Sequence, residues 1–228
     1  MNKIGAVMRM HYRDKWSWFL IPVIILFASF AINLLIGYLV QEEEGMRSGG
    51  VTSVYVYAFI AGIIAPSQTF SFAIGLSVRR RDFFWGTACT MAVFSFTAAA
   101  MLTVLSFVEA EWTGGWGVKL GFFHLPYLND GNAAVQLLIA FSLLLHMYMA
   151  GFTLVALFRR FGRKGMFTFW IAAILLGTLA SFILTYMELW GAIGEWLVSH
   201  SASYYAAWLL PLTAIYGIVS YLVLRKAV

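Results

Sequence analysis

AAVQLLIAFSLLLHMYMAGFTLVALF (residues 133–158), RRFGRKG (159–165) and MFTFWIAAILLGTLASFILTYM (166–187) follow one another in this chain. Neither long stretch contains an Asp, Glu, Lys or Arg, and the seven residues between them carry four cations. Each apolar stretch is as long as the about 20 helical residues that a hydrocarbon core requires. Two spans joined by a short basic loop is the architecture this pattern predicts.

Working outward, four more uncharged apolar runs appear, at residues 18–40, 54–78, 83–108 and 204–224. Cut at six runs, the chain sorts its cations. Lys3, Arg9, Arg13 and Lys15 precede the first run, Arg79, Arg80 and Arg81 follow the second, and Arg159, Arg160, Arg163 and Lys164 follow the fourth. Arg225 and Lys226 end the sixth, so thirteen of the fifteen Lys and Arg fall on alternate segments and only Arg47 and Lys119 on the others. Eight of the ten acidic residues take the opposite side. Cations near span ends are retained in the cytoplasm, so the pattern predicts six spans with both termini inside.

Composition agrees. At 228 residues, 62% hydrophobic and 11% charged, the chain has no room for a separate soluble domain and reads as one membrane domain over residues 1–228. The net charge of +5 follows from the positive-inside bias and implies anionic lipid as a partner, not nucleic acid. The single cysteine, Cys89, excludes an intrachain disulfide. The first run is too long for the apolar core of a cleaved leader and reads as a retained anchor.

Two segments outside the runs have helical periodicity. In residues 1–17, Ile4, Val7, Met8 and Tyr12 share one face while Lys3, Arg9, Arg13 and Lys15 can reach headgroups, which predicts an in-plane amphipathic elbow. In residues 188–203, Leu189, Ile193, Trp196 and Leu197 recur at helical spacing, which predicts a short outer helix before the last span. The largest outer segment, 109–132, has Gly114, Gly115, Gly117 and Pro126 to break any regular element.

Several chemistries find no support. No Lys follows a Gly, so a phosphate-cradling loop ending in Gly-Lys is absent and any ATP and Mg would be bound by another polypeptide, this chain needing no cofactor of its own. Apart from tyrosines and Cys89, His146 is the only titratable residue well inside a run, and a lone His there reads as a hydrogen-bonded packing residue. Glu42, Glu43 and Arg47 spell EExxxR, the opening of an intramembrane protease signature, but neither His124 nor His146 lies in the FxxxH or HxxxN context such enzymes need. The last run has no His to activate a serine, and the ten Met form no dense cluster with His or Cys that would hold copper.

The most distinctive segment is LSVRRRDFFWG (residues 76–86), with three arginines, an aspartate and three aromatics in a connection too short to fold alone. From Gly75 to Gly86 it resembles the loop after span two in type-2 ABC transporter permeases: a Gly, a basic pair, an acidic residue, Phe-Phe and a closing Gly. The six-run layout, elbow and outer helix resemble the same family, with small Gram-positive exporters of peptides closest in character. The resemblance implies a permease of the bacterial cytoplasmic membrane. It implies a pair of such subunits over two ATPase subunits, and an amphipathic peptide or similar hydrophobic cargo. Arg79, Arg80, Arg81, Asp82, Phe83 and Phe84 would then couple to the ATPase, the arginines as clamps and the phenylalanines as apolar anchors.

In the second run, Ala61, Ala65, Thr69 and Ala73 repeat at the spacing that lets helices approach closely, either as fixed packing or as a face that slides. Ser67, Gln68 and Ser71, with Asn33 in the first run, are the few polar groups deep enough to line a pathway. The alternatives are the substrate-binding membrane subunit of an energy-coupling-factor vitamin importer and, third, an intramembrane protease.

Overall fold

The computed structural model describes residues 3–40, 45–125, 127, 129 and 131–226, so Glu42, Glu43 and Pro126 lie outside the described residues. It is all-α, 85% helical, as a chain must be whose peptide groups find no solvent partner in lipid. Helix α1 (Ile4–Arg13) precedes α2 (Ile21–Val40), which a π turn at Trp16–Leu20 leads in. A 3-10 turn at Gly49–Val51 opens α3 (Thr52–Gly75), and α4 (Arg80–Phe107) continues through a π turn at Val108–Trp112. Then come α5 (Ala133–Tyr186), α6 (Trp190–Ser199) and α7 (Ala202–Arg225). The two-residue strands β1 (Met46–Arg47) and β2 (Leu120–Gly121) pair in parallel. Asn132 and Ser201 cap α5 and α7 by accepting from the amides of Val135 and Tyr204, which satisfies one orphan donor each.

The bundle closes around the first half of α5. Its contact with α3 is backbone on backbone: a Cβ on Gly62 would stand 2.4 Å from the Tyr148 carbonyl oxygen, and one on Gly151 would stand 2.3 Å from that of Phe59. Ala58, Ala61, Ala65 and Ala73 of α3 are all buried, and Thr69 turns its hydroxyl back to the Ala65 carbonyl. The small-residue stripe is therefore packed inside this chain, beside a glycine that touches α5. Between α5 and α7 two polar pairs cross, His146 with Thr213 at 3.1 Å and Ser220 with Thr153 at 2.9 Å. Helix α1 lies on α4, where a Cβ on Gly86 would come within 2.6 Å of Val7.

Two expectations about connections need correction. Residues 159–165 do not form a loop. The runs at 133–158 and 166–187 lie on two helices that meet at a kink at Gly162, φ 65 and ψ −165, within Ala133–Tyr186. A glycine reaches that conformation without a Cβ penalty, so one residue does the work assigned to a seven-residue connection. With Ala133–Tyr186 counted once, five helical stretches among the described residues are long and apolar enough to cross a membrane. The connection at 79–82 also shifts toward the N-terminus: Arg80, Arg81 and Asp82 already belong to α4 and the turn is residues 76–79.

Residues 167–183 are exposed on every side, with Leu175 and Leu176 at 64% and 66%. An apolar helix has no hydrophobic reason to pack when its surroundings are equally apolar, so this is a lipid-compatible state.

The α3–α5 contact predicts a sharp contrast. Gly62→Val or Gly151→Val should lower stability in detergent by about 1–3 kcal/mol, because the clash is with backbone that cannot rotate away. Gly177→Ala, where a Cβ meets nothing within 4 Å, should leave it unchanged or raise it by up to about 1 kcal/mol. Thermal melts of the purified variants compare them.

Candidate coupling surface at the basic end

The four cationic segments meet at one end of the bundle. Lys3 draws the first two together: its backbone amide donates to Asp82 Oδ2 at 3.1 Å, and its ammonium donates to the carbonyls of Leu76 and Ser77, both at 3.1 Å. Arg80 donates to the carbonyl of Arg225 at 3.4 Å, and Arg160 donates to that of Lys226. Ser77, with φ 55, makes the turn, and Arg79 is extended as the residue before α4. Asp82 sits in the first helical turn, where a carboxylate is favoured by the helix dipole. The turn is thus held from three sides by Lys3 and Asp82 rather than hanging free.

What it shows to the outside is not what the sequence suggests. Phe83 and Phe84 are 1% and 4% exposed and cannot be anchors for a partner. Phe83 packs on Phe70 of α3 and His11 of α1, with ring centroids 5.2 Å and 6.3 Å away. Phe84 stacks on Phe152 of α5 at 5.8 Å and meets Tyr221 of α7 at 5.3 Å. They turn inward because α4 starts at Arg80, which places Phe83 on the same stripe as the buried Thr87, Thr90 and Met91. Asp82 is buried too. The exposed members of the segment are Leu76, Ser77, Arg79, Arg81 and Trp85, with Arg80 partly covered.

The candidate pathway residues do not converge on one cavity. Asn33 donates to the Ser29 carbonyl at 2.8 Å and accepts from the Ser48 hydroxyl at 2.6 Å, pinning the 3-10 turn before α3. Ser67 and Ser71 are engaged by Arg159, and Gln68 is exposed on the outer face of α3. A cavity of about 280 Å3 does lie between α2, α3, α4 and α5, but Trp18, Phe94, Thr97, Leu144 and Tyr148 line it.

At the far end a residue the sequence reading missed organises the outer segment. Glu109 is 2% exposed, and its carboxylate accepts from the amides of Phe122, Phe123 and His124 at 2.8–3.1 Å and from the Trp116 indole at 2.7 Å. Residues 113–125 fold over this charge. Phe122 and Phe123 then pack on Phe30 of α2. The glycines of this segment signalled its irregularity, but nothing local marked Glu109 as its acceptor.

His11 was likewise unmarked. Its Nε2 lies 3.0 Å from the Thr87 hydroxyl, its Nδ1 is buried without a partner, and its ring meets the edge of Trp18 at 5.4 Å. Burial drives its pKa down to about 4, and Asp14 opposes that only in part. No protein-family model matches the chain, and no curated protein or solved structure is significantly similar to it. Function has to be read from residues and geometry.

Because the folded-state pKa of His11 lies below its ordinary 6.5, the neutral form is what α1 docks with. That stabilisation is complete above pH 6.5 and is lost as pH falls toward 4, amounting to roughly 3 kcal/mol when lost in full. Melting temperature in detergent should decline over that window in wild type, and the decline should be shallower in His11→Gln.

Proposed function

We propose that this chain is the membrane-spanning subunit of an ATP-driven exporter of the type-2 ABC kind, coupled to a separate ATPase that binds ATP and Mg. The observation that carries the reading is the basic end. A turn clasped by Lys3 and Asp82 presents Leu76, Arg79, Arg81 and Trp85 outward, while the neighbouring phenylalanines fasten it to four helices. A rigid, cationic, partly apolar projection suits an acidic cleft in a soluble partner. Leu76 and Trp85, at 56% and 46% exposure, replace Phe83 and Phe84 as its apolar contacts.

Six crossings rest on the break in α5. Residues 133–161 and 163–186, on either side of Gly162, are each longer than the about 20 helical residues that a hydrocarbon core requires, which supports reading them as two spans. Both termini then face the cytoplasm of a bacterium, with α6 at the outer surface. Two copies would complete a pathway, and a lining of Phe, Leu, Met and Trp suits an amphipathic peptide or similar hydrophobic cargo.

Co-purification from native membranes tests the class: an ATPase subunit should accompany the chain in a one-to-one ratio, and its absence would refute the proposal. Arg79→Glu with Arg81→Glu should weaken that capture roughly thirtyfold, about 2 kcal/mol for two reversed charges, with the loss reduced by salt. Phe83→Ala should instead lower the chain's own stability by about 3–5 kcal/mol, as truncation of a buried aromatic does. Sidedness is checked separately. In a Cys89→Ala background, a cysteine at Ser48 or Asn129 should react with an impermeant thiol reagent from outside intact cells, and one at Arg163 should not.

A further inference from the structure

Arg159 turns away from the basic end. Its neighbour Arg160 reaches the terminal backbone, but Arg159 runs up the side of α3. There it donates to the Ser67 carbonyl at 2.5 Å and to the Ser71 hydroxyl at 3.1 Å, and its guanidinium lies 5.3 Å from the centre of the Phe70 ring. Side chains near the C-terminal end of a helix lean toward its N-terminus, and on this part of α5 that direction leads into the bundle's length.

The depth can be bounded. Gly49–Gly75 is a 27-residue helical stretch, about 40 Å long against a hydrocarbon core of about 30 Å, so roughly one turn at each end stands in the headgroup layer. Ser71 and Ser67 precede Gly75 by about 6 Å and 12 Å of helix rise. The guanidinium is therefore held at the level where headgroups meet acyl chains.

Two of the five guanidinium N–H groups are accounted for, and no carboxylate among the described residues pairs with this cation. Gln68, exposed and making no hydrogen bond among the described residues, shares the outer face of α3 with Ser71. Above them, Ile60 and Ile64 continue that face at one-turn intervals, 42% and 41% exposed. A forked cation, a hydroxyl and an amide at headgroup depth, with an apolar strip rising from them, match a phosphate carrying acyl chains.

We propose that Arg159, Ser71 and Gln68 form a binding site for the headgroup of an anionic phospholipid of the basic-end leaflet, with an acyl chain along Ile60 and Ile64. A second copy is a poorer occupant, because a two-fold axis at this face would set Arg159 against Arg159. The site stands independently of the transport reading, since it needs only the membrane.

Native mass spectrometry of the purified full-length chain in detergent tests it, with phosphatidylglycerol, phosphatidylcholine of the same acyl chains, and inorganic phosphate as probes. One phosphatidylglycerol should be retained per chain in preference to phosphatidylcholine. Arg159→Gln should bind it about tenfold more weakly, the loss of a charge-assisted hydrogen-bonded contact, while Arg163→Gln, at an exposed cation with no hydrogen bond among the described residues, should not. Gln68→Leu with Ser71→Ala, which leaves the charge in place, should weaken it about threefold and guards against a folding defect in Arg159→Gln. Unchanged binding in both site variants, an equal loss in Arg163→Gln, or equal retention of phosphatidylcholine would overturn the site. Displacement by inorganic phosphate would overturn the lipid assignment in favour of a soluble anion.

Discussion

Two glycines with no room for a Cβ set the geometry of the bundle. Gly62 and Gly151 let α3 and α5 touch through their backbones, within 3.1 Å of where side-chain carbons would stand. In lipid the helices gain nothing from burying apolar surface against one another, so close van der Waals approach has to supply the association. Once this crossing is fixed, Tyr148 is positioned to stack with Trp18 of the turn before α2, and Phe152 to stack with Phe84 of α4. The hydroxyl pair Ser220–Thr153 and the His146–Thr213 pair then register α7 on the other side of α5. Three interfaces thus depend on one helix lying against one other at a spacing only glycine permits.

Charge is handled by the opposite logic at the two ends. At the far end a single carboxylate is buried and fully surrounded by donors, so the outer segment folds around Glu109 and its rigidity comes from inside. At the basic end most cations remain exposed or donate to backbone carbonyls at helix termini, where positive charge complements the dipole. Lys3 spans two carbonyls just past α3, and Arg80 and Arg160 take those at the end of α7. A charged surface remains available at that end without leaving the helix ends unsatisfied.

How far the sequence could be read follows from this division. The apolar runs and the alternation of cations were legible because length and charge are local properties, and α1 and α6 were legible because periodicity is. Cutting runs at charged residues misplaced a boundary where a charge does not end a helix. Arg80–Asp82 open α4, and the Asp in the first turn is itself a helix-start signal that the cut concealed. Had the helix been extended back one turn, Phe83 would have fallen on the stripe with Thr87 and Thr90 and read as core. At 159–165 the cut fell at a break between two helices, made by Gly162 alone, and the cations on either side of it belong to helix ends. Glu109, His11 and Arg159 were not legible at all, since their partners lie 7 to 15, 76 and 88 to 92 residues away.

The correction at Phe83 and Phe84 changes what the basic end can do mechanically. Apolar anchors in a partner's cleft would report docking only at the surface. Buried as they are, the two rings join the turn at residues 76–79 to α3 through Phe70, to α1 through His11, to α5 through Phe152 and to α7 through Tyr221. Side chains in direct contact transmit displacement from one element to the next. A partner that moved the turn would move the start of α4, and α4 cannot shift without repacking against those four neighbours. In the proposed exporter, Leu76 and the arginines receive the ATPase's motion, and the phenylalanine pair carries it to the helices around the α3–α5 crossing.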